Sequence, residues 1–308
     1  RGPPRRWHFA PPAAGWAPRP EAQPRPVGSG DSPALDRQRE LRRRVLGLLN
    51  KVSPENAPAI TEQLAATRLT CSGELVFVLD TVFQYALRSP QYSGVYAAVA
   101  QDLSATCRPF PPPRDGEPPV TFQGLLAKAC WAEFEALPSS LEPSPEERWA
   151  LDPEELELHA TAKKSRTIAF MRLAGNLFLN GLMSKTDVEA MLLGLLLDTP
   201  GGRGLPTELE VECACELLRI AGPALGGDPR GEALLSRNCG RLLKLRRART
   251  ADGEAWLYSC RVRFAMQDAL ELRDRDWGRQ PGGERARREG RGEKQAAAAP
   301  GRQAPGAG

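Results

Sequence analysis

Apolar residues recur at helical spacing along most of this chain. The clearest case runs from residue 261 to residue 277, where apolar side chains return every three or four positions and charged side chains fill the other faces. Its apolar positions are Val262, Ala265, Met266, Ala269, Leu270 and Leu272. No segment alternates in the manner of a half-buried strand. The pattern therefore predicts an all-α protein.

The same periodicity predicts helices that follow one another in pairs. The first lies within residues 42–56, and Ser53 is expected to cap the second, with Pro54 at its first position. The remaining helices are predicted at 55–68, 72–89, 92–106, 121–136, 154–181 (as one helix or two), 185–197, 208–220, 231–249 and 261–277. Helical hairpins of this size, stacked side by side, form an α-solenoid of about five antiparallel hairpins.

Three segments between these helices are predicted to be irregular. Residues 108–119 are rich in proline and must form a surface loop. Residues 137–152 combine prolines with acids and are expected to be a linker between two halves of one solenoid. The glycine-rich run at 199–204 has no following Gly-Lys-Ser/Thr, so it is a turn and not a phosphate-binding loop. A single helical-repeat domain is expected over residues 36–278.

Both ends of the chain are basic and poor in apolar residues. Residues 1–40 carry seven arginines against four acids, and residues 279–308 carry seven Arg and Lys against three Glu. Such segments can bury too little apolar surface to offset the conformational entropy that folding costs. Residues 1–35 and 279–308 are therefore predicted to be disordered tails. The favoured interpretation is that these two tails only keep the protein in solution. The alternative is RNA binding, with Arg285, Arg287, Arg288 and Arg291 as candidates.

Catalytic and metal-binding chemistry is hard to find in this sequence. His8 lies in the N-terminal tail and His159 lies among charged residues on a helix surface, so neither fits a general base. The seven cysteines include no pair at zinc-ribbon spacing, and Cys213 and Cys215 point to different faces of one helix. No apolar run reaches membrane-spanning length. The sequence indicates a non-enzymatic cytoplasmic monomer without metal or cofactor.

One turn of the chain carries a motif. Leu49, Asn50, Lys51, Val52, Ser53 and Pro54 follow the order Leu-Asn-Lys-Leu/Val-Ser/Thr-Pro. This run resembles the first repeat of the middle domain of eukaryotic translation initiation factor 4 gamma, a HEAT-like solenoid. In that family the turn packs on the C-terminal lobe of a DEAD-box helicase, and a Phe three positions after the Pro is an anchor. Here that position is Ala57, so the resemblance implies weakened helicase binding.

Further motifs of the family follow in the same order. Residues 89–96 resemble its Glu-Pro-x-Tyr/Phe-Ser corner. Residues 173–183 resemble a helicase-contacting helix, with Leu173 in place of Phe and Asn176 in place of Glu. The closing helix at 261–277 matches most closely, and its Glu-Leu-Arg run is closest to the shorter homologue that acts without the cap-binding protein. Upstream, Trp16 resembles the family's tethered tryptophan, which reaches the helicase N-terminal lobe.

The resemblance implies a non-enzymatic scaffold of cap-independent translation initiation. It would bind the DEAD-box helicase of initiation factor 4, messenger RNA and other initiation factors. By contacting both helicase lobes it would hold them half-open, so that closure on ATP and RNA becomes faster. Two alternatives stay open. One is an RNA-decay or export adaptor that uses the same repeat and binds no helicase, and the other is a diverged copy that has lost its partners.

Overall fold

The computed structural model describes residues 33–275 apart from 113, 115, 117, 139–140, 197–204 and 251. Within these ranges the regular structure is helical, with isolated β-bridges joining Phe110 to Val120 and Arg249 to Trp256. The helices are α1 (Pro33–Leu49), α2 (Ala57–Ala65), α3 (Ser72–Arg88), α4 (Ser93–Thr106), α5 (Phe122–Glu135), α6 (Pro145–Ala150), α7 (Pro153–Leu179), α8 (Lys185–Leu196), α9 (Glu208–Leu225), α10 (Pro229–Arg246) and α11 (Cys260–Asp274), with a 3-10 turn at Pro90–Tyr92. The predicted all-α class is confirmed.

The helices form two rows of a solenoid. In one row α2 packs on α4, α4 on α7, α7 on α9 and α9 on α11. In the other row α1 packs on α3 and α3 on α5, while α8 packs on α10. Four successive pairs pack directly, α1 with α2, α3 with α4, α8 with α9 and α10 with α11, and α5 with α7 is the third pair in chain order. An ion pair between Arg166 and Glu133 joins the third pair, and the predicted solenoid of about five hairpins is confirmed.

Side-chain caps fix the points at which several helices begin. Thr121 accepts a hydrogen bond from the backbone N–H of Gly124 at the start of α5. Ser144, Asp152 and Thr207 each form a capping box at the start of α6, α7 and α9, in which a Glu three residues later returns the hydrogen bond. A cap of this kind contributes about 1 kcal/mol. These boundaries are therefore set by the local sequence.

A continuous apolar core joins the two rows. Phe170 of α7 is completely buried, and its ring centroid lies 6.2 Å from that of Phe83 on α3. Helix α7 approaches α9 closely at Gly175, where an added Cβ would lie only 2.8 Å from Cγ2 of Ile220. A side chain larger than hydrogen would push these two helices apart.

The predicted start of the second helix is wrong. The helix begins at Ala57 and not at the Ser53–Pro54 step. The side chain of Asn56 explains the difference: its Oδ1 accepts the backbone N–H of Ser53 at 2.7 Å, and its Nδ2 donates to the Lys51 carbonyl at 2.6 Å. These two bonds close a turn over residues 51–56 before the helix can start.

Two other predicted boundaries also change. Part of the predicted linker at 137–152 forms the short helix α6, because Ser144 makes a capping box and Pro145 stands at the first helical position, where a proline is tolerated. Helix α9 runs past residue 220 to Leu225, with Pro223 inside its last turn. Ala221 and Leu225 are fully buried, so packing holds that turn in place despite the proline. The range 154–181 contains one continuous helix, α7.

Candidate docking surface

The turn between α1 and α2, residues 50–56, is here called the elbow, and its backbone is held by its own side chains. The two hydrogen bonds of Asn56 fix its ends, and backbone bonds from Asn50 and Lys51 to the carbonyls of α1 continue the helix into the turn. A turn closed in this way loses little entropy when a partner binds. The elbow is thus a preorganised surface.

The apolar residues of the elbow motif are part of the core. Leu49 is 1% exposed and Val52 is 8% exposed, so neither side chain can contact a partner without unfolding the first pair. Asn50, Lys51 and Pro54 are exposed instead. Leu49 and Val52 therefore support the elbow from the core, Asn50, Lys51 and Pro54 are its accessible residues, and helicase binding by any of them stays a prediction.

The elbow is joined to the next helical pair through a tyrosine. The hydroxyl of Tyr85, near the end of α3, donates a 2.6 Å hydrogen bond to Oδ1 of Asn50. The 3-10 turn at residues 90–92 follows directly and leads to Ser93 at the start of α4. The corner that the sequence matched at 89–96 thus lies beside the elbow.

Asn176 of α7 lies on the other side of this corner. Its Nδ2 donates to Oγ of Ser93 at 3.1 Å and to the carbonyl of Arg172 at 2.8 Å. Asn176 is only partly exposed, and Leu173 is 3% exposed in the core. Leu173 therefore packs in the core in this structure, and its predicted role in helicase binding stays a prediction. Asn176 and the elbow flank the same turn, although they are far apart in sequence.

The charge around the elbow is positive. Arg43 and Arg44 are exposed on the last two turns of α1, and Lys51 is exposed in the elbow. The opposing acid is Glu55, whose pKa is lowered because the Ser53 hydroxyl hydrogen-bonds its carboxylate. Glu55 therefore stays ionised at neutral pH, but the three positive charges of Arg43, Arg44 and Lys51 outnumber its one negative charge. A surface of this sign favours an acidic partner.

A second surface, which is aromatic, lies on the connection between α10 and α11, and the periodicity gave no sign of it. The guanidinium carbons of Arg249 and Arg263 lie 4.0 and 3.9 Å from the ring centroid of Trp256, on which they stack. Phe264, next to Arg263 on α11, is 60% exposed. The stack depends on a loop that brings residues 249 and 263 to one ring.

Some predicted residues lie outside the described ranges. They are Trp16, Arg285, Arg287, Arg288 and Arg291. Among the described residues, no group of three or more His, Cys, Asp or Glu is placed to hold a metal ion. None of the described helices is both long and apolar enough to cross a membrane.

Comparison with known proteins gives consistent matches. The family model for the MIF4G domain matches residues 42–276. Eukaryotic translation initiation factor 4 gamma 2 of Mus musculus is 27% identical over 250 residues, which cover 76% of this chain and 26% of that protein. Eukaryotic translation initiation factor 4 gamma 3 of Mus musculus is 27% identical over 259 residues, covering 80% of this chain and 15% of that protein.

A solved structure is also similar. The MIF4G domain of Trypanosoma cruzi translation initiation factor EIF4G5 is 22% identical, with a TM-score of 0.46 over 77% of this chain and 97% of that one. This chain spans 26% or less of the length of the two curated relatives. What those whole proteins do is therefore a separate question from what this domain does.

Proposed function

This chain belongs to the MIF4G domain family, and we propose on that basis that it is a scaffold of the translation-initiation type that binds the DEAD-box helicase of initiation factor 4. The elbow carries the proposal. It presents Asn50, Lys51 and Pro54 to solvent on a turn that Asn56 and Tyr85 hold in place. Both relatives compared above carry the name of a translation initiation factor.

The chemistry of the elbow favours a small, polar contact over a large apolar one. The apolar residues of its motif are buried in the core. The position of the family's aromatic anchor is occupied by Ala57, which is partly buried at the start of α2. A hot spot in an interface commonly depends on a buried aromatic or arginine. Binding through this elbow therefore relies on charge and shape, and its affinity should be low and sensitive to salt.

A charge reversal tests the proposed site. The full chain would be titrated with the helicase of initiation factor 4, with and without a non-hydrolysable ATP analogue. Lys51→Glu should weaken binding about three- to tenfold, roughly 1 kcal/mol, since it places a negative charge in a basic surface. Lys128→Glu is the matched control, because Lys128 is equally exposed but lies on α5. If the two variants weaken helicase binding equally, the elbow is not part of the binding surface.

Participation in cap-independent initiation is a further part of the proposal. Its support is the Glu271-Leu272-Arg273 run in α11, which resembles the shorter homologue. Tethering the full chain to an uncapped reporter RNA should raise its translation, and Lys51→Glu should reduce the gain. If the chain binds the helicase but does not change translation of the reporter, the proposed role in cap-independent initiation fails and the helicase-binding proposal stands.

Contact with messenger RNA is assigned to the C-terminal basic segment. Residues 41–278 have a net charge of −3, while residues 279–308 carry +4. Arg285, Arg287, Arg288 and Arg291 supply most of that excess, and contacts from arginine to phosphate do not depend on base sequence.

If the helicase does not bind at all, an adaptor for RNA decay or export becomes the better description of the same scaffold.

A further inference from the structure

Two arginine side chains stack on one tryptophan in the connection between α10 and α11. The guanidinium carbons of Arg249 and Arg263 lie 4.0 and 3.9 Å from the ring centroid of Trp256. Because both carbons are so close to one centroid, they can be no more than about 8 Å apart. The attraction of each cation to the indole ring offsets part of their mutual repulsion. These three residues are here called the Arg–Trp–Arg site.

The Arg–Trp–Arg site is held in place by local backbone structure. Residues 249 and 256 are joined in an antiparallel β-bridge, and Nη1 of Arg249 donates hydrogen bonds to the carbonyls of Gly253 and Glu254, each at 3.3 Å. Arg263 lies in the first turn of α11. A site whose parts are fixed in this way loses little entropy when a ligand binds.

The two guanidinium groups have no anionic partner in the part of the chain that the structure describes. Neither Arg249 nor Arg263 forms an ion pair there, and Arg263 forms no hydrogen bond there. Nε of Arg263 is buried without an acceptor, whereas its Nη atoms are open to solvent. Nε and Nη2 of Arg249 also lack an acceptor among the described residues. The site therefore offers several N–H donors to an anion that approaches from solvent.

The site lies in a short basic stretch of an otherwise acidic domain. Residues 244–263 contain six Arg and Lys against two acids, a net charge of +4. Residues 41–278 as a whole carry −3, so the remainder of that range carries −7 once the +4 is removed. One of the two acids, Asp252, already accepts hydrogen bonds from the Thr250 hydroxyl and the Glu254 N–H. A polyanion that extends beyond the stretch meets charge of its own sign, which favours a compact anion.

A phosphate monoester matches the two guanidinium groups better than a carboxylate does. It carries a charge of about −1.5 to −2 at neutral pH and three strong acceptor oxygens, while a carboxylate carries a single charge and two oxygens. A guanidinium fork binds phosphate through two parallel hydrogen bonds of about 2.8 Å each. One phosphate group can therefore accept hydrogen bonds from both arginines and neutralise both charges.

We propose that the Arg–Trp–Arg site binds a phosphorylated serine or threonine side chain of a partner protein. The two guanidinium groups donate to the phosphate oxygens, and the indole ring on which they stack keeps both in position. Binding at this site requires neither the helicase contact at the elbow nor the RNA contact of the C-terminal segment. Its failure is therefore distinguishable from the failure of either.

Binding of phosphopeptides to the full chain tests the site. The probe is a library of short random peptides with a central phosphoserine, and the same library with serine is the reference. The phosphorylated library should be retained about tenfold or more over the reference at an ionic strength of about 0.15 M. Inorganic phosphate should release the retained peptides, and chloride at equal ionic strength should not. The indole N–H resonance of Trp256 should shift as the peptides bind.

Arg263→Gln is the cleanest variant, because Arg263 forms no hydrogen bond in the described part of the chain. It should weaken binding of the retained peptides about fivefold or more at an unchanged melting temperature. Arg263→Lys keeps the charge but loses the fork, so it should weaken binding about threefold. Arg88→Gln, at an exposed arginine that ends α3, is the matched control and should change nothing. The basic tails are the same in every variant, so nonspecific phosphate binding by them cancels.

Three results would overturn the proposal. These are equal retention of the two libraries, equal effects of Arg263→Gln and Arg88→Gln, and release of the peptides by chloride as readily as by phosphate. RNA is the competing occupant. If Arg263→Gln weakens binding of a single-stranded RNA without terminal phosphate about fivefold, while the phosphorylated library is not retained, the site is an RNA contact on the helical domain and the phosphopeptide assignment fails.

Discussion

The hydroxyl of Tyr85 donates a 2.6 Å hydrogen bond to Oδ1 of Asn50, and this bond joins the second helical pair to the elbow of the first. Tyr85 lies in the last turn of α3, and Asn50 directly follows α1. The bond therefore positions the elbow relative to the corner at 90–92, and with it the surface proposed to bind a helicase.

Tyr85→Phe should loosen the elbow without disturbing the core. Loss of one partly exposed hydrogen bond should lower the free energy of unfolding by about 0.5 to 1.5 kcal/mol. Amide hydrogen exchange over residues 50–56 should rise more than exchange in α9. Tyr92→Phe, in the neighbouring turn, is the control. Comparable exchange changes in both variants would mean that the Tyr85 bond does not hold the elbow.

Most of the fold could be predicted from periodicity, because the longer helices bury an apolar face and several of them, such as α5, α7, α9 and α10, begin at a side-chain cap. The exceptions have local causes. Asn56 uses its side chain to close a turn, and nothing in the Ser-Pro pattern distinguishes that from a helix cap. The six-residue helix α6 is too short to show a period, and only its Ser144–Glu147 spacing signals it.

The candidate site could be predicted only in part. The motif pointed to residues 49–54, but the sequence began the second helix too early and could not tell that Leu49, Val52 and Leu173 are buried in the core, because burial depends on which helices pack together. The stack of Arg249, Trp256 and Arg263 depends on a loop conformation and has no sequence period. Contacts of that kind follow from tertiary structure alone.

Gly175→Ala tests the close packing of α7 on α9. An added Cβ would lie 2.8 Å from Cγ2 and 2.9 Å from Cβ of Ile220, so the helices must separate, and thermal or urea unfolding should show a loss of about 1 to 3 kcal/mol. Combining Ile220→Ala with Gly175→Ala should recover part of this loss of stability. Gly240→Ala, an exposed position of α10 with open space around it, should stabilise the protein by up to about 1 kcal/mol. Similar losses at both positions would contradict this packing.

The carboxyl of Glu147 should titrate far below an ordinary glutamate. Its hydrogen bond from Lys163 is the largest cause, and together with the backbone N–H of Ser144 it lowers the pKa from 4.5 to about 2. A lowered folded-state pKa stabilises α6 above pH 4.5, and that stability is lost as the pH falls from about 4.5 to about 2. NMR titration of the Glu147 side chain gives the value directly.

Lys163→Met is the control for this titration, and it should move the Glu147 pKa back towards 4.5. The Glu147 side chain keeps 24% of its exposure, so 1 M salt should also narrow the shift. A Glu147 pKa near 4.5 in the unaltered chain would mean that the Lys163 contact does not form in solution.

Binding of single-stranded RNA should follow the charge of the C-terminal segment. Changing Arg285, Arg287, Arg288 and Arg291 to Gln should reduce the slope of log affinity against log salt by about 3, because each phosphate contact contributes about 0.7 for single strands. Fluorescence anisotropy over a salt series measures this slope. An RNA affinity that survives the four substitutions would place the RNA contact on the helical domain.

Ala57→Phe is the sharpest test of the proposed helicase site. If the family's aromatic anchor is missing at this position, restoring it should tighten helicase binding by about 1 to 3 kcal/mol, roughly 5- to 150-fold. A gain of affinity cannot come from misfolding, which makes this change cleaner than truncating the buried Leu49 or Val52. Ala59→Phe, two residues along α2 at an exposed position, is the matched control for added apolar surface. If both variants bind alike while melting at the same temperature as the unaltered chain, the elbow is not the dock, and an adaptor without a helicase partner becomes the better account.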